Sequence, residues 1–150
     1  MINLSIGYGD SGENVIASGI NLDIYHGERV AIVGDNGEGK TTLLRSLIGS
    51  LKTLGGEISW GHASVIGTYA QHVYTTLPEQ RTVYEHLDYE AIGGTTRQQI
   101  LATAGALLFR DSHVDKKIKV LSGGERARLC MAALLLGDYN ILVLDEPGNH

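Results

Sequence analysis

The chain carries a single cysteine, so no internal disulfide can form. Cys130 sits in the apolar run LCMAALLL, where a small hydrophobic filler is the expected role, and a reducing, cytoplasmic setting fits. Positive charge is scarce. Twelve basic residues against 17 acidic ones leave a net charge of -5, which gives no broad field for neutralising many phosphates and disfavours extensive direct binding of nucleic acid. Long apolar runs are missing too: none approaches the roughly 18 to 20 residues that span a bilayer, and the first residues have no charged-then-apolar targeting pattern. Direct membrane insertion is therefore not expected. There is no sustained repeat, heptad or low-complexity tract. What remains is 150 residues with 43% hydrophobic content, enough for one globular domain with a sizeable core.

Along the chain, NLSIGY and NVIASGINLDI read as strands around the glycine-rich turn GDSGEN, followed by the turn HGE and a buried strand RVAIVG. From Gly39 the period changes. Leu43, Leu44, Leu47 and Ile48 have helical spacing, with Gly49 placed to end the helix. GEISW and SVIGTYAQ read as further strands. A helix follows from Thr82, where Thr82 and Glu85 have capping-box spacing, and Ile100, Leu101, Ala104, Leu107 and Leu108 mark one face of another. A third starts near Ser122 and is closed by Gly137, after which NILVLD forms a continuous apolar strand. The expectation is an α/β domain whose core, residues 1–74 and 121–150, is interrupted by a helical insertion over about 75–120.

Strand, glycine loop and helix in that order make a phosphate cradle. Gly34, Gly39, Lys40 and Thr41 fit G-x-x-x-x-G-K-[ST], and the loop GDNGEGKTT runs through Asp35, Asn36, Gly37 and Glu38 to Thr42. Glycines let the backbone curl so that N–H groups point at an anion, while the following helix aims its positive dipole end at the same charge. Lys40 is suited to reach β- and γ-phosphates, Thr41 to ligate Mg2+ and Thr42 to donate to a phosphate oxygen. Glu38 fits poorly: a carboxylate there is tolerable only if it points to solvent, because facing a phosphate would repel it. The bland alternative is a glycine-rich turn between strand and helix.

ILVLDE ends a strand in adjacent carboxylates. Asp145 can hold Mg2+ through its waters, and Glu146 can orient or deprotonate a water attacking the γ-phosphate. A solvated strand end before the turn residues Pro147 and Gly148 is the alternative. In LSGGE, Ser122 and Glu125 form the capping box of an ordinary helix start. Gly123 and Gly124 ask for more, since each glycine in a first turn costs up to about 1 kcal/mol relative to alanine. Close approach to an anion is one such reason, and it suggests that Leu121–Glu125 serve the nucleotide of another, partner domain.

These motifs together resemble the ATP-binding cassette (ABC) superfamily over essentially the whole chain. GDNGEGKTT is similar to its Walker A loop, Gln71 to its Q-loop glutamine, LSGGE to its signature and ILVLDE to its Walker B strand. The resemblance implies a P-loop NTPase core with an antiparallel β segment, ATP and Mg2+ as ligands, and a catalytic role for Gln71 and Glu146, with Gln71 also near the metal. It implies adenine stacking by Tyr8, which otherwise reads as a tyrosine packed at a strand end. Within the superfamily the sequence most resembles the soluble, two-cassette ABC-F group, many of whose members act on the ribosome. Glu125 followed by RARL, the tail DEPGNH and the short segment GGEISWGHASVIGTYAQH carry this, the last being most like a C-terminal cassette. Gly148, where the group usually has threonine, departs from the pattern and loosens the turn after Glu146.

By the same resemblance, the D-loop aspartate, the switch histidine and further core elements are expected beyond residue 150, so the domain reads as incomplete and inactive in turnover by itself. His150 is not the switch residue. The histidines at 26, 62, 72, 86 and 113 lack metal-ligand spacing, and KKIK at 116–119 reads as a solvated face. Two function classes follow: a translation-associated ATPase, with the ribosome and a second cassette as partners, or the ATPase subunit of a transporter, with a transmembrane subunit as partner. A cassette that holds ATP only as a structural ligand is the third and blandest reading.

Overall fold

The computed structural model describes residues 1–9, 14–70 and 73–147. The chain folds as two compact units, Met1–Ala63 and Ser64–His150.

In the first unit, β1 (Ile2–Tyr8) is the central strand of an antiparallel sheet, flanked by β2 (Asn14–Ile20) and β3 (Gly55–Glu57). Leu4 and Ile6 of β1 are buried, and the ladder pairs Leu4 with Ile20 and Ile2 with Glu57. This is the expected antiparallel segment, though β2 ends at Ile20, short of the NLDI expected to continue it, and there are two further changes. Of GEISW only Gly56 and Glu57 are strand, preceded by Gly55, and β3 ends before Ile58. The second change is larger: RVAIVG forms no strand. No strand lies between Ile20 and Gly55 among the described residues, and Val30, Ile32 and Val33 are exposed, Val33 to 87%. An all-apolar strand needs hydrogen-bonded neighbours on both edges and cover on both faces, and the sheet of this unit supplies neither to residues 29–34. The turn before it is as expected, with Glu28 N–H bonded to the Tyr25 carbonyl at 3.1 Å. Helix α1 (Lys40–Leu47) follows, and left-handed Gly49 (φ 74°) ends it.

The second unit pairs β4 (Ile66–Tyr69) with β5 (Ile141–Leu144) in parallel, Ile66 opposite Ile141 and Tyr69 opposite Leu144. Between them run α2 (Val83–Glu90), α3 (Arg97–Ala106) and α4 (Gly123–Leu136). All three begin on capping boxes: Thr82 with Glu85, Thr96 with Gln99, and Ser122 with Glu125. Their apolar faces meet in one core built on Val83, Leu87, Ile100, Ala104, Leu129 and Ala132. The apolar face expected of α3 stops short of Leu108, which is left-handed (φ 69°) and exposed; Phe109, one residue on, takes the core position. Gly137 ends α4 as expected, and packing shows why it is glycine. Its backbone is extended, and any Cβ there would run into the Tyr139 ring, which also lies against Gly67 of β4. Ile118 of KKIK is fully buried, whereas its lysines are exposed.

Cys130 is buried, and that burial pushes its thiol up to about 11, consistent with an inert filler. His86 is buried on α2, with Nδ1 4.0 Å from Glu90 Oε1 and no hydrogen-bond partner. Burial holds its pKa below the usual value, and the Glu90 carboxylate opposes this only in part. The unfolded chain therefore takes up the proton first as pH falls, and the fold loses stability on acidification through about pH 6.5. We expect the urea midpoint to drop between about pH 7.5 and about pH 5.5, and His86→Leu to flatten that part of the profile. An unchanged slope in His86→Leu would assign the pH dependence to other groups.

Candidate nucleotide-binding site

The glycine loop lies in the first unit, immediately before α1. Gly37 (φ 90°) and Gly39 (φ 91°) are both left-handed, a conformation that costs an ordinary side chain roughly 1 kcal/mol or more. Gly39 is the N-cap of α1 and has no side chain with which to cap it, so the first-turn N–H groups are not taken by their own cap residue. There is also no room for one. A Cβ on Gly39 would collide with Cγ2 of Ile16 on β2. The loop is thus shaped twice over by the absence of a side chain at Gly39, once by dihedral and once by the approach of the sheet.

Lys40 opens α1 and folds back over the loop, its Nζ donating to the carbonyls of Gly34 (2.8 Å) and Asp35 (2.7 Å). An ammonium has three N–H donors, so one remains for an anion. Thr42, two positions on in the helix, is buried, and its Oγ1 lies 3.2 Å from the Tyr8 hydroxyl at the end of β1. That contact brings the expected adenine residue to the loop. Tyr8 is 43% exposed, a partly open ring tethered by its polar end. Glu38 is exposed, as expected, yet it does not simply point away: its Oε2 accepts the Asp35 N–H at 2.9 Å. Asn36 lies in the turn between these residues, and Thr41 follows Lys40 in the first turn of α1.

The acidic strand end lies in the second unit. The Asp145 N–H donates to the Tyr69 carbonyl at 2.8 Å, carrying the parallel ladder one residue past β5, and Asp145 is buried to 8% exposure. Glu146 is exposed and left-handed (φ 49°), next to the buried Asp145. Since β4 and β5 are parallel, the segments after Tyr69 and after Leu144 leave the same edge. Gln71 itself lies outside the described residues, as do Gly148 and His150.

LSGGE begins α4. Ser122 N–H and Oγ–H both donate to Glu125 Oε2 at 2.8 Å, and Glu125 N–H returns a bond to Ser122 Oγ at 3.3 Å. These bonds from Ser122, the backbone one foremost, hold the Glu125 carboxyl below the usual carboxylate range. The capping box is real, and it leaves the glycines unexplained: among the described residues a Cβ on Gly123 meets nothing within 4 Å, and one on Gly124 only Arg128 Nη1 at 3.9 Å. Two residues that sequence reasoning passed over brace this turn. Arg126 donates to the carbonyls of Leu121 (3.3 Å) and Lys119 (3.2 Å), and Arg128 donates to the Leu107 carbonyl (3.2 Å). Their spacing in RARL, two apart at the helix start, was the available signal.

The two glycine sites therefore predict opposite outcomes. Gly39→Ala should destabilise the chain by about 1 kcal/mol or more, through its dihedral and its clash with Ile16. Gly123→Ala should leave stability unchanged or raise it by up to about 1 kcal/mol. Denaturant melts of both variants check this; equal losses would mean that Gly123 is held by the chain's own packing.

The ABC transporter family model matches residues 17–149. ABC transporter F family member 2 of Arabidopsis thaliana is 36% identical over 149 residues, covering 99% of this chain and 21% of that protein. A solved structure of a putative ABC transporter ATP-binding protein from Pyrococcus furiosus superposes with a TM-score of 0.81 at 29% identity, over 97% of this chain and 74% of that one. The archaeal ribosome recycling factor aABCE1, solved in complex with ribosomal stalk protein aP1, gives 0.62 at 31% identity over 79% of this chain and 22% of that one. Curated relatives at 34% to 40% identity are spanned over only 20% to 27% of their length. The chain belongs to the ATP-binding cassette family, with the mixed α/β nucleotide-binding fold of that family and an ABC-F-like sequence.

Proposed function

We propose that this chain binds MgATP on the loop Gly34–Thr42 and contributes to a composite ATPase site completed by a second cassette, in a cytoplasmic ABC-F-type protein that works with the ribosome in translation. The observation that carries the first half is the loop itself, with two left-handed glycines and the Lys40 ammonium folded over it at the start of a helix. ABC cassettes are ATP-binding domains and generally ATPases. The finer roles come from the motifs. Lys40 neutralises the β- and γ-phosphates, Tyr8 stacks on adenine, and Thr42 donates to a phosphate oxygen. By these motifs Mg2+ would be held by Thr41, Gln71 and Asp145, hard oxygen donors suited to that ion, and when bound it supplies neutralisation of phosphate charge. Glu146 takes the proton of the attacking water as the bond from γ-phosphorus to the bridging oxygen breaks, giving ADP and phosphate. In this reading residues 1–74 and 121–150 are cassette core and about 75–120 its helical insertion.

Support for the second cassette comes from Gly123 and Gly124. Among the described residues neither backbone angle nor packing asks for glycine at those positions, whereas an approaching phosphate of a partner's nucleotide would. Turnover by the chain alone should then be negligible. The ribosomal role is supported by the ABC-F-like sequence and by the fold shared with a ribosome recycling factor. No helix among the described residues is long and apolar enough to cross a membrane. The transporter reading, in which a transmembrane subunit is the partner, keeps the support of the family model's own description.

Three measurements test these proposals. Lys40→Ala should abolish tight MgATP binding by calorimetry; unchanged affinity removes the loop from the site. In the assembled two-cassette protein, Glu146→Gln should retain ATP and stop phosphate release, whereas native turnover in that variant would exclude Glu146 as the base. The ATP-bound form should co-sediment with ribosomes, and salt-resistant membrane association without ribosomes would favour the transporter.

A further inference from the structure

We infer that Glu38 is a positioning residue for the nucleotide: its carboxylate braces the phosphate loop by accepting the Asp35 N–H and so presets the curvature that receives the phosphates. This rests on the reading of the loop as the nucleotide site. Glu38 sits between the two left-handed glycines, where the backbone is least constrained by its own chemistry. The backbone bond across this turn, Glu38 N–H to the Asp35 carbonyl, is long at 3.4 Å. The side-chain bond runs the other way, Asp35 N–H to Glu38 Oε2, at 2.9 Å. Two residues thus close a turn reciprocally, as a capping box closes a helix start.

The surroundings fit a brace and not an obstruction. The carboxylate lies across Gly34, where a Cβ would come 2.5 Å from Oε2, so the first glycine of the motif makes room for it. Lys40 anchors on the carbonyls of the same two residues, Gly34 and Asp35, from the helix side. Among the described residues no ion pair joins Glu38 to Lys40, so the acid spends its charge on an amide and leaves the ammonium for phosphate. The amide it takes, that of Asp35, precedes α1 and is not one of the first-turn donors that a phosphate would use. A brace of loop shape acts on ADP and ATP alike, whereas a carboxylate opposing the γ-phosphate would act on ATP and would tighten binding when removed.

Calorimetry of MgATP and MgADP on the native chain, Glu38→Ala, Glu38→Gln and Lys40→Ala decides the matter. Glu38→Ala should weaken both nucleotides by the same factor, roughly threefold to tenfold, the effect of one hydrogen bond. Glu38→Gln, which keeps an acceptor oxygen, should restore binding to near native for both. Native or tighter binding by Glu38→Ala, a loss confined to ATP, or a Glu38→Gln variant as weak as Glu38→Ala would overturn the proposal. If Lys40→Ala binds as the native chain does, the loop is not the site, and the role of Glu38 falls with it; loss in Lys40→Ala with no effect at Glu38 overturns the brace alone.

Discussion

A polyphosphate brings several negative charges to one place, and a small loop can meet them only by turning consecutive backbone N–H groups inward. That requirement fixes the backbone before it fixes any side chain. Gly37 and Gly39 take left-handed angles, Gly39 also lets Ile16 of the neighbouring strand close against the loop, and α1 begins at the next residue. Lys40, Thr42 and Tyr8 are then placed by consequence: the lysine by opening the helix, the threonine by its first turn, and the tyrosine by the strand that the helix packs beside. Even Glu38, the residue least expected in a phosphate cradle, is used to hold the bend.

LSGGE shows a different economy. One tetrad of residues, Ser122 to Glu125, satisfies the helix start through a reciprocal side-chain pair while keeping its middle two positions bare. Within this chain the capping box is sufficient, and alanine would serve the helix better than either glycine. A sequence that accepts a weaker helix start at an exposed position is paying for something at that surface, and a second nucleotide is the requirement proposed here. Arg126 and Arg128 hold the turn to the segments before it, which keeps the bare amides in a fixed place.

Features set by local chemistry were legible in the sequence, and those set by distant neighbours were not. Capping at Thr82 and Ser122 and the turn before Arg29 depend on residues a few positions apart, and each formed as read. RVAIVG did not become a strand, because an apolar run gains strand geometry only from partners on its edges, and no such partner is encoded within the run. Gly137 ends α4 as read, but the bulk of Tyr139 lying over it cannot be seen from glycine alone. Phe109 displaced Leu108 from the core through a single left-handed residue, a change too local for periodicity to register. The bond from Glu38 to Asp35 had a signal in its three-residue spacing, obscured by the charge that made the residue look misplaced.

In the proposed function a nucleotide is held by the backbone between Gly37 and Thr42. Following the backbone amide resonances of the chain while MgATP is added tests it without relying on turnover or on any substitution. The largest saturating shifts should fall on Gly37, Gly39, Lys40, Thr41 and Thr42, with a smaller response at Tyr8. Saturable ATP binding that leaves those five amides unmoved would contradict the site.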